Sequence, residues 1–260
     1  MNSTLDVLLA RKSIRAYEER PIPEEVKAQI LGATFRAPTA GNMMLYSILE
    51  VRDQGLKDTL SRTCDNQPFI AKAPLVLLFL ADYQRWFDFY LLSGVDQLCR
   101  ARGVPMRKPE EGDLFLACCD ALIAAHTAVI AAESLGIGSC YIGDIMENFE
   151  VHQKLFELPA YTFPICLVCF GYSTRQQKDR PPTTRFGREF IVFEDRYHRL
   201  QAHELQQMFA AMEGSFRQGG EKPPGIENAG QANYMRKFAA GFSAEMSRSV
   251  RAMLRAWAGG

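Results

Sequence analysis

The side chains best equipped for chemistry stand near the N-terminus, in Arg11-Lys12-Ser13-Ile14-Arg15. Successive side chains alternate along an extended backbone, so there Arg11, Ser13 and Arg15 point the same way. Two planar guanidinium forks and a hydroxyl on one side make a receptor for a phosphate. The same cluster, taken alone, also suits a solvated basic connector. A second basic segment comes much later, in the proline-stiffened run from Gln176 to Phe186, QQKDRPPTTRF. It directly follows an apolar run. Ligands in sheet proteins often meet the chain at such strand ends, so Lys178 and Arg180 are placed to meet an anion.

Between these segments lie groups suited to a flat ring. Gln67, in the turn Asp65-Asn66-Gln67-Pro68, offers a donor and an acceptor together and suits the imide edge of a pyrimidine-like ring. A solvated polar turn reads equally well. Pro38 opens Thr39-Ala40-Gly41-Asn42, a small-residue turn able to contact a ligand through backbone and short side chains. Residues 136–143, GIGSCYIG, carry three glycines. That spacing suggests backbone held close to something flat or anionic. Cys166 and Cys169 form a CxxC inside FPICLVCFGY. The surrounding pattern is that of a buried strand, so they read as small buried hydrophobes rather than a zinc or redox pair, and no metal is expected.

The elements that must position these groups centre on one stretch. Asp113 to Leu135 has no Pro or Gly and reads as a single helix, on the order of 35 Å long. Asp113, Asp120, Thr127 and Ser134 recur every seventh residue, with Cys119, His126 and Glu133 beside them. Such a polar seam is costly in lipid, so the helix belongs to a core and not a membrane. Ala121, Ala125, Ala128 and Ala132 form a small-residue stripe that fits either intramolecular packing or a helix–helix dimer seam. Gly136 stands where a left-handed C-cap belongs.

The spacing predicts further helices over 4–10, 23–35, 83–92, 149–158 (with Asn148 as cap) and 203–216. Buried strands are predicted over 46–52, 75–82 and 164–172, with one more strand at 190–193. Residues 213–232, rich in Gly and Pro, read as a mobile loop. Residues 233–257 read as a C-terminal helical extension with a break at Gly241. With no internal repeat and no shift in composition, 1–260 reads as a single domain.

The totals fit a globular protein: 260 residues, 47% hydrophobic, 23% charged and a net charge of zero. Neither a nucleic acid nor a membrane is recommended as partner. Seven scattered cysteines and no signal-peptide pattern at the N-terminus read as reduced thiols of a cytoplasmic protein.

Taken in order, RxSxR, APTxxN, DNQPFIxxAP, an Ala-rich helix ending SLGIGSCYIG, and a strand leading to FGY and KDRP resemble the FMN-dependent nitroreductase family. Within it the chain is most similar to the oxygen-insensitive NADPH nitroreductase and flavin reductase branch. The resemblance implies an α+β, nitroreductase-like fold. Its mixed β-sheet is flanked by helices around a long central helix, and two chains form an intimate homodimer with two FMN molecules at the interface.

The resemblance also implies roles. Arg11, Lys12, Ser13, Arg15, Lys178 and Arg180 would hold the FMN phosphate and ribityl chain. Gln67 would read the ring. Tyr141, Ile142, Gly143 and Asp144 would bring backbone to its reactive edge. Pro38, Thr39, Ala40 and Asn42 would reach the partner's cofactor. NADPH or NADH would donate a hydride by ping-pong kinetics to nitroaromatics, quinones or flavins, small planar acceptors. No catalytic side chain is required, because the flavin carries the chemistry. The alternatives are a flavin-dependent dehalogenase of the same fold and a non-catalytic FMN-binding redox protein. The chain departs from the family pattern at Thr39, at Met44, and at Asp144 and Met146, where the related branch has Gly and Arg.

Overall fold

The computed structural model describes residues 3–259. In chain order it contains α1 (Ser3–Ala10), α2 (Glu24–Thr34), β1 (Tyr46–Glu50), α3 (Gln54–Thr63), α4 (Phe69–Lys72), β2 (Leu75–Asp82), α5 (Gln84–Leu92) and α6 (Val95–Ala101). Then follow α7 (Glu111–Ser134), β3 (Gly138–Ile142), α8 (Phe149–Leu155), β4 (Thr162–Gly171), α9 (Arg175–Asp179), α10 (Ala202–Gln218), α11 (Ala229–Asn233) and α12 (Gly241–Gly259). The contacts divide the chain into two units, residues 1–181 with 245–260, and residues 182–244.

The first unit is built on a four-stranded sheet in the order β1-β2-β4-β3. All three ladders are antiparallel. The parallel component is the single bridge from Ser13 to Ser139, which lays the N-terminal strip along β3. Every residue of β2 is buried, as its continuous run of apolar residues predicts for a strand covered on both faces. Leu75, Leu77 and Phe79 of β2 join Val168 and Phe170 of β4 on one face. Val76, Leu78 and Leu80 join Leu167 and Cys169 on the other. Cys166 and Cys169 therefore lie on opposite faces of β4, which rules out a side-by-side thiol pair.

Helix α7 covers the first face. Ala121, Ala124, Ala125, Ala128 and Ala132 are fully buried against the sheet. Their short side chains let the helix axis approach the strands. The small-residue stripe is thus an intramolecular contact and not a dimer seam. The helix starts at a reciprocal capping box between Glu110 and Asp113, with Arg107 bound to both Asp113 oxygens at 2.6 and 2.9 Å. It ends where Gly136 takes a φ of 75° and Ile137 N–H donates back to Ala132 O at 2.9 Å, a left-handed cap. Helices α3 and α4 cover the second face through Leu60 and Ile70. Met253 and Trp257 of α12 close a third cluster with Phe149 and Tyr161.

Several elements differ from the sequence expectation. GIGSCYIG contributes an edge strand, β3, that alternation could not reveal in so glycine-rich a run. Asn148 does not cap α8: it sits at a φ of 50° with no capping bond, and its amide donates to Thr63 O at 2.8 Å. Residues 190–193 form no strand; a short 3-10 turn spans Arg188–Phe190.

In the second unit, α10 runs on to Gln218 and Ala229–Asn233 is helical. The segment expected as a loop is therefore helical at both ends, and Ala229 N–H is tied to Glu213 at 2.9 Å. The break expected at Gly241 is where α12 begins.

Candidate active site

The Arg11–Arg15 strip is extended, as its alternation predicts. Ile14 is buried and its N–H donates to Ser139 O at 2.8 Å. Arg11, Ser13 and Arg15 turn together toward the Cys140 thiol. Burial pushes that thiol up, and the two guanidinium groups and the Ser13 hydroxyl oppose the shift.

The second basic segment closes on the first across more than 160 residues of sequence. Lys12 Nζ donates to Lys178 O at 2.5 Å and to Arg180 O, the Arg180 guanidinium donates to Ser13 O, and Arg15 N–H donates to the Gln177 amide oxygen at 3.4 Å. Five cations thus converge on one strip. The acids facing them are Glu18, 3.3 Å from Lys178 Nζ, and half-buried Glu133. Burial pushes Glu133 up, and its Ser139 hydrogen bond, Arg11 and Lys12 pull it down. Arg11 also stands 5.9 Å from the Tyr141 ring centroid. Its Nε is buried and meets no acceptor among the described residues. A buried cationic donor without a partner is costly, and an anion laid along the strip would satisfy it. Arg15 itself is exposed.

A second group of expected residues meets around Gln67. Asp65 and Asn66 take left-handed φ values of 54° and 50°, which Asp and Asn tolerate best among residues with a side chain. They present Gln67, whose Nε2 donates to Cys64 O at 3.0 Å and to Asp144 Oδ2 at 2.7 Å. Both amide hydrogens are therefore engaged, and the amide keeps an acceptor, Oε1, for anything that approaches.

Gly143 is exposed, and a Cβ built there would meet no heavy atom within 4 Å. A flat group can lie against its backbone. The Ile142 side chain is buried in the core, so this residue offers only backbone. Tyr141 is half-buried. A cleft of about 800 Å³ runs between residues 15–21 and 68–74; Arg15, Pro68 and Phe69 line it, which connects the basic strip to the Gln67 turn.

The Pro38–Asn42 turn does not join this group. Thr39 donates to Asp120 Oδ2, Ala40 N–H to Oδ1 at 3.0 Å, and Leu45 N–H to Oδ2 at 3.0 Å. Gly41, Asn42 and Met44 all have positive φ. Among the described residues, no hydrogen bond from this turn reaches the basic strip, Gln67 or residues 141–144. Pro38 and Asn42 are exposed.

Two residues of the site are not singled out by sequence reasoning. Glu147 lies behind Asp144, and nothing in its spacing marks it. Asp120 belongs to the sevenfold polar seam, but its task was not legible there. The seam divides because an α-helix drifts by about 20° per heptad. Asp113 and Asp120 are buried, whereas Thr127 and Ser134 bond only to carbonyls of their own helix, Ile123 O at 2.9 Å and Ala131 O at 2.7 Å.

An antiparallel sheet backed by one long helix, with a cation strip along its β3 edge, defines an α+β protein. The nitroreductase family profile matches residues 8–172, and the chain belongs to that family. It is 29% identical over 206 residues to "FMN reductase [NAD(P)H]" of Bacillus subtilis, covering 76% of this chain and 75% of that one. It is 26% identical over 200 residues to "Oxygen-insensitive NADPH nitroreductase" of Salmonella typhimurium, covering 77% of each. Among solved structures, NADPH:FMN oxidoreductase of Vibrio harveyi complexed with NAD+ shares the fold, with a TM-score of 0.76, 22% identity and coverage of 97% of this chain and 98% of that one.

Proposed function

We propose that this chain is an FMN-dependent NAD(P)H oxidoreductase that reduces small planar acceptors such as nitroaromatics, quinones or flavins. The observation that carries the reading is the cation strip, closed by the Lys178–Arg180 loop, in which Arg11 Nε is buried without a partner. Arg11, Lys12, Ser13, Arg15, Lys178 and Arg180 hold the phosphate and ribityl end. The Gln67 carbonyl would serve the flavin ring, together with the open backbone at Gly143, between Ile142 and Asp144. FMN held there would supply the redox chemistry, hydride transfer between NADH or NADPH and the acceptor. The chain's own part is to bind, orient and shield, so no side chain is assigned a catalytic step.

The active form is a homodimer. Phe115, Cys119, Leu122 and His126, at i, i+4, i+7 and i+11 of α7, form one exposed stripe, with Leu116 and Ile123 beside it. Phe115 is 70% exposed and Leu116 50%, which is unusual for the central helix of a lone subunit. The Pro38–Asn42 turn is fastened to the opposite side of the same helix and serves the partner's cofactor. Seven free cysteines fit a reducing compartment, the cytoplasm.

The test is the absorption spectrum of the purified protein and chromatography of the flavin released on denaturation. One FMN per chain, bleached anaerobically by NADH or NADPH, is expected. Absence of flavin together with no binding of added FMN overturns the reading.

A further inference from the structure

Gln67 stands between two carboxylates. Asp144 Oδ2 accepts from Gln67 Nε2 at 2.7 Å, and Asp65 lies two residues before Gln67 in the same left-handed turn. Asp144 belongs to the 3-10 turn Gly143–Met146, directly after the open backbone at Gly143. Asp144 is half-buried and Asp65 is exposed. Neither forms an ion pair among the described residues; Lys178 is taken by Glu18, and Arg248 by Glu150 and Glu245. Behind the turn, Glu147 is 4% exposed and its N–H donates to Asp144 O at 3.0 Å. No donor among the described residues reaches its buried Oε1, so no cation there neutralises the pair from below. The two ends of the site thus differ in sign. Lys12 and Arg180 close the cation strip at one end, and Asp65 and Asp144 flank Gln67 at the other.

Resting on the FMN reading above, we propose that Asp144, with Asp65 in support, is a specificity-determining residue whose carboxylate makes the Gln67 end of the site favour neutral and cationic planar rings over anionic ones. The FMN phosphate would be met by the cation strip. A charge on a second flat ligand, stacked at the Gln67 end, would instead be met by the carboxylates. Asp144 stands one hydrogen bond from the amide that serves the flavin ring, so its charge acts on whatever stacks there, with a strength that falls with distance and with salt. The acceptors that fit are uncharged or positively charged quinones and nitroaromatics. Ring carboxylates and sulfonates of the same size are disfavoured.

The experiment titrates oxidised, FMN-loaded, full-length protein with benzoate, benzamide and benzamidine and reads the flavin absorbance. The three are flat rings of one size that are anionic, neutral and cationic at neutral pH. At low salt the wild type should bind benzamidine roughly tenfold more tightly than benzoate, with benzamide between. In Asp144→Asn, whose amide oxygen can still accept from Gln67, the ratio should fall to about threefold or less. Asp144→Glu keeps the charge and should keep the preference, and Asp65→Asn should lower it by a smaller factor, because Asp65 is exposed. In the wild type itself the ratio should shrink in about 1 M salt, where the screening length is about 3 Å. Tighter binding of benzoate than of benzamidine by the wild type, a ratio indifferent to salt, or an unchanged ratio in Asp144→Asn overturns the proposal while leaving the FMN reading intact. So does a flavin spectrum that none of the three rings perturbs. Protein that takes up no FMN overturns the FMN reading, and this proposal with it.

Discussion

The Asp120 carboxylate holds the Ala40 N–H at 3.0 Å from across 80 residues of sequence. It also takes the Leu45 N–H at 3.0 Å and the Thr39 hydroxyl. One buried carboxylate on α7 therefore fixes a turn that carries three left-handed residues, Gly41, Asn42 and Met44. Met44 is the unusual member, because an unbranched apolar side chain rarely adopts that conformation. The turn keeps its shape because its donors converge on a single acceptor.

Asp120→Ala should accordingly destabilise the fold by about 2–4 kcal/mol, since it takes the acceptor from three donors, one of them the buried Leu45 N–H. Asp120→Asn should cost less, because the amide oxygen still accepts, though its NH2 would confront a donor. Urea unfolding of the two variants, read as midpoints at constant slope, checks the ordering.

The cation strip makes a separate prediction. Arg11→Ala and Arg15→Ala should each weaken FMN binding roughly 10- to 100-fold, as expected for one charge-assisted hydrogen bond. Arg15 is exposed, so its replacement should leave thermal stability within about 0.5 kcal/mol of wild type. Arg15→Lys should fall between, because lysine keeps the charge and loses the fork. Flavin titration of the apo-variants measures all three, and an unchanged dissociation constant for both alanine variants would remove the strip from the site.

The dimer makes another. Ile123, 39% exposed, lies in the apolar stripe of α7. Intimate homodimers commonly bury more than about 2,000 Å², and an uncompensated carboxylate in such a surface is costly. Ile123→Asp should yield monomers at micromolar concentration by light scattering, with FMN affinity reduced because the partner's Pro38–Asn42 turn is gone. Ala125→Asp is the contrasting case: Ala125 is buried against the sheet, so that change should unfold the subunit instead.

What could be read from the sequence depended on the range of the signal. β2 was legible to the residue, because seven consecutive apolar residues, Leu75 to Ala81, run up to Asp82. The C-terminal cap of α7 was legible from Gly136, whereas the capping box at Glu110 was not. The cation strip was legible as alternation. Its closure by Lys178 and Arg180 was not, because it depends on backbone carbonyls that no residue type announces. The alanine stripe was visible, but what covers it was undetermined; small residues fit against a sheet as well as against another helix. Glu147 was silent, since its significance comes entirely from the absence of a donor around Oε1.

Glu147 also governs the last prediction, which needs no cofactor. Burial first, then the Asp144 charge, raises Glu147 from an ordinary value of 4.5 to about 8 in the folded protein. The folded state therefore keeps a proton that the unfolded chain releases. Stability is fully present below about pH 4.5, declines as pH rises through the folded value, and is flat above about 8. One proton sets a limiting slope of about 1.4 kcal/mol per pH unit. Other groups bound the window in which this is visible. Burial lowers His152 below its ordinary 6.5, so it costs stability only on the acid side. Burial raises the Cys64 and Cys140 thiols above 9, so they matter only at higher pH. Glu150 and Glu245, held down to about 2 by Arg248, lose their contribution only in acid. Glu133, which burial also raises above its ordinary 4.5, acts in the same direction, so the Glu147 share is the difference between wild type and a Glu147 variant. Urea unfolding of the flavin-free protein between pH 6.5 and 8 should show stability falling with pH more steeply in the wild type than in Glu147→Gln. Parallel lines for the two proteins would mean that Glu147 is already ionised at pH 6.5.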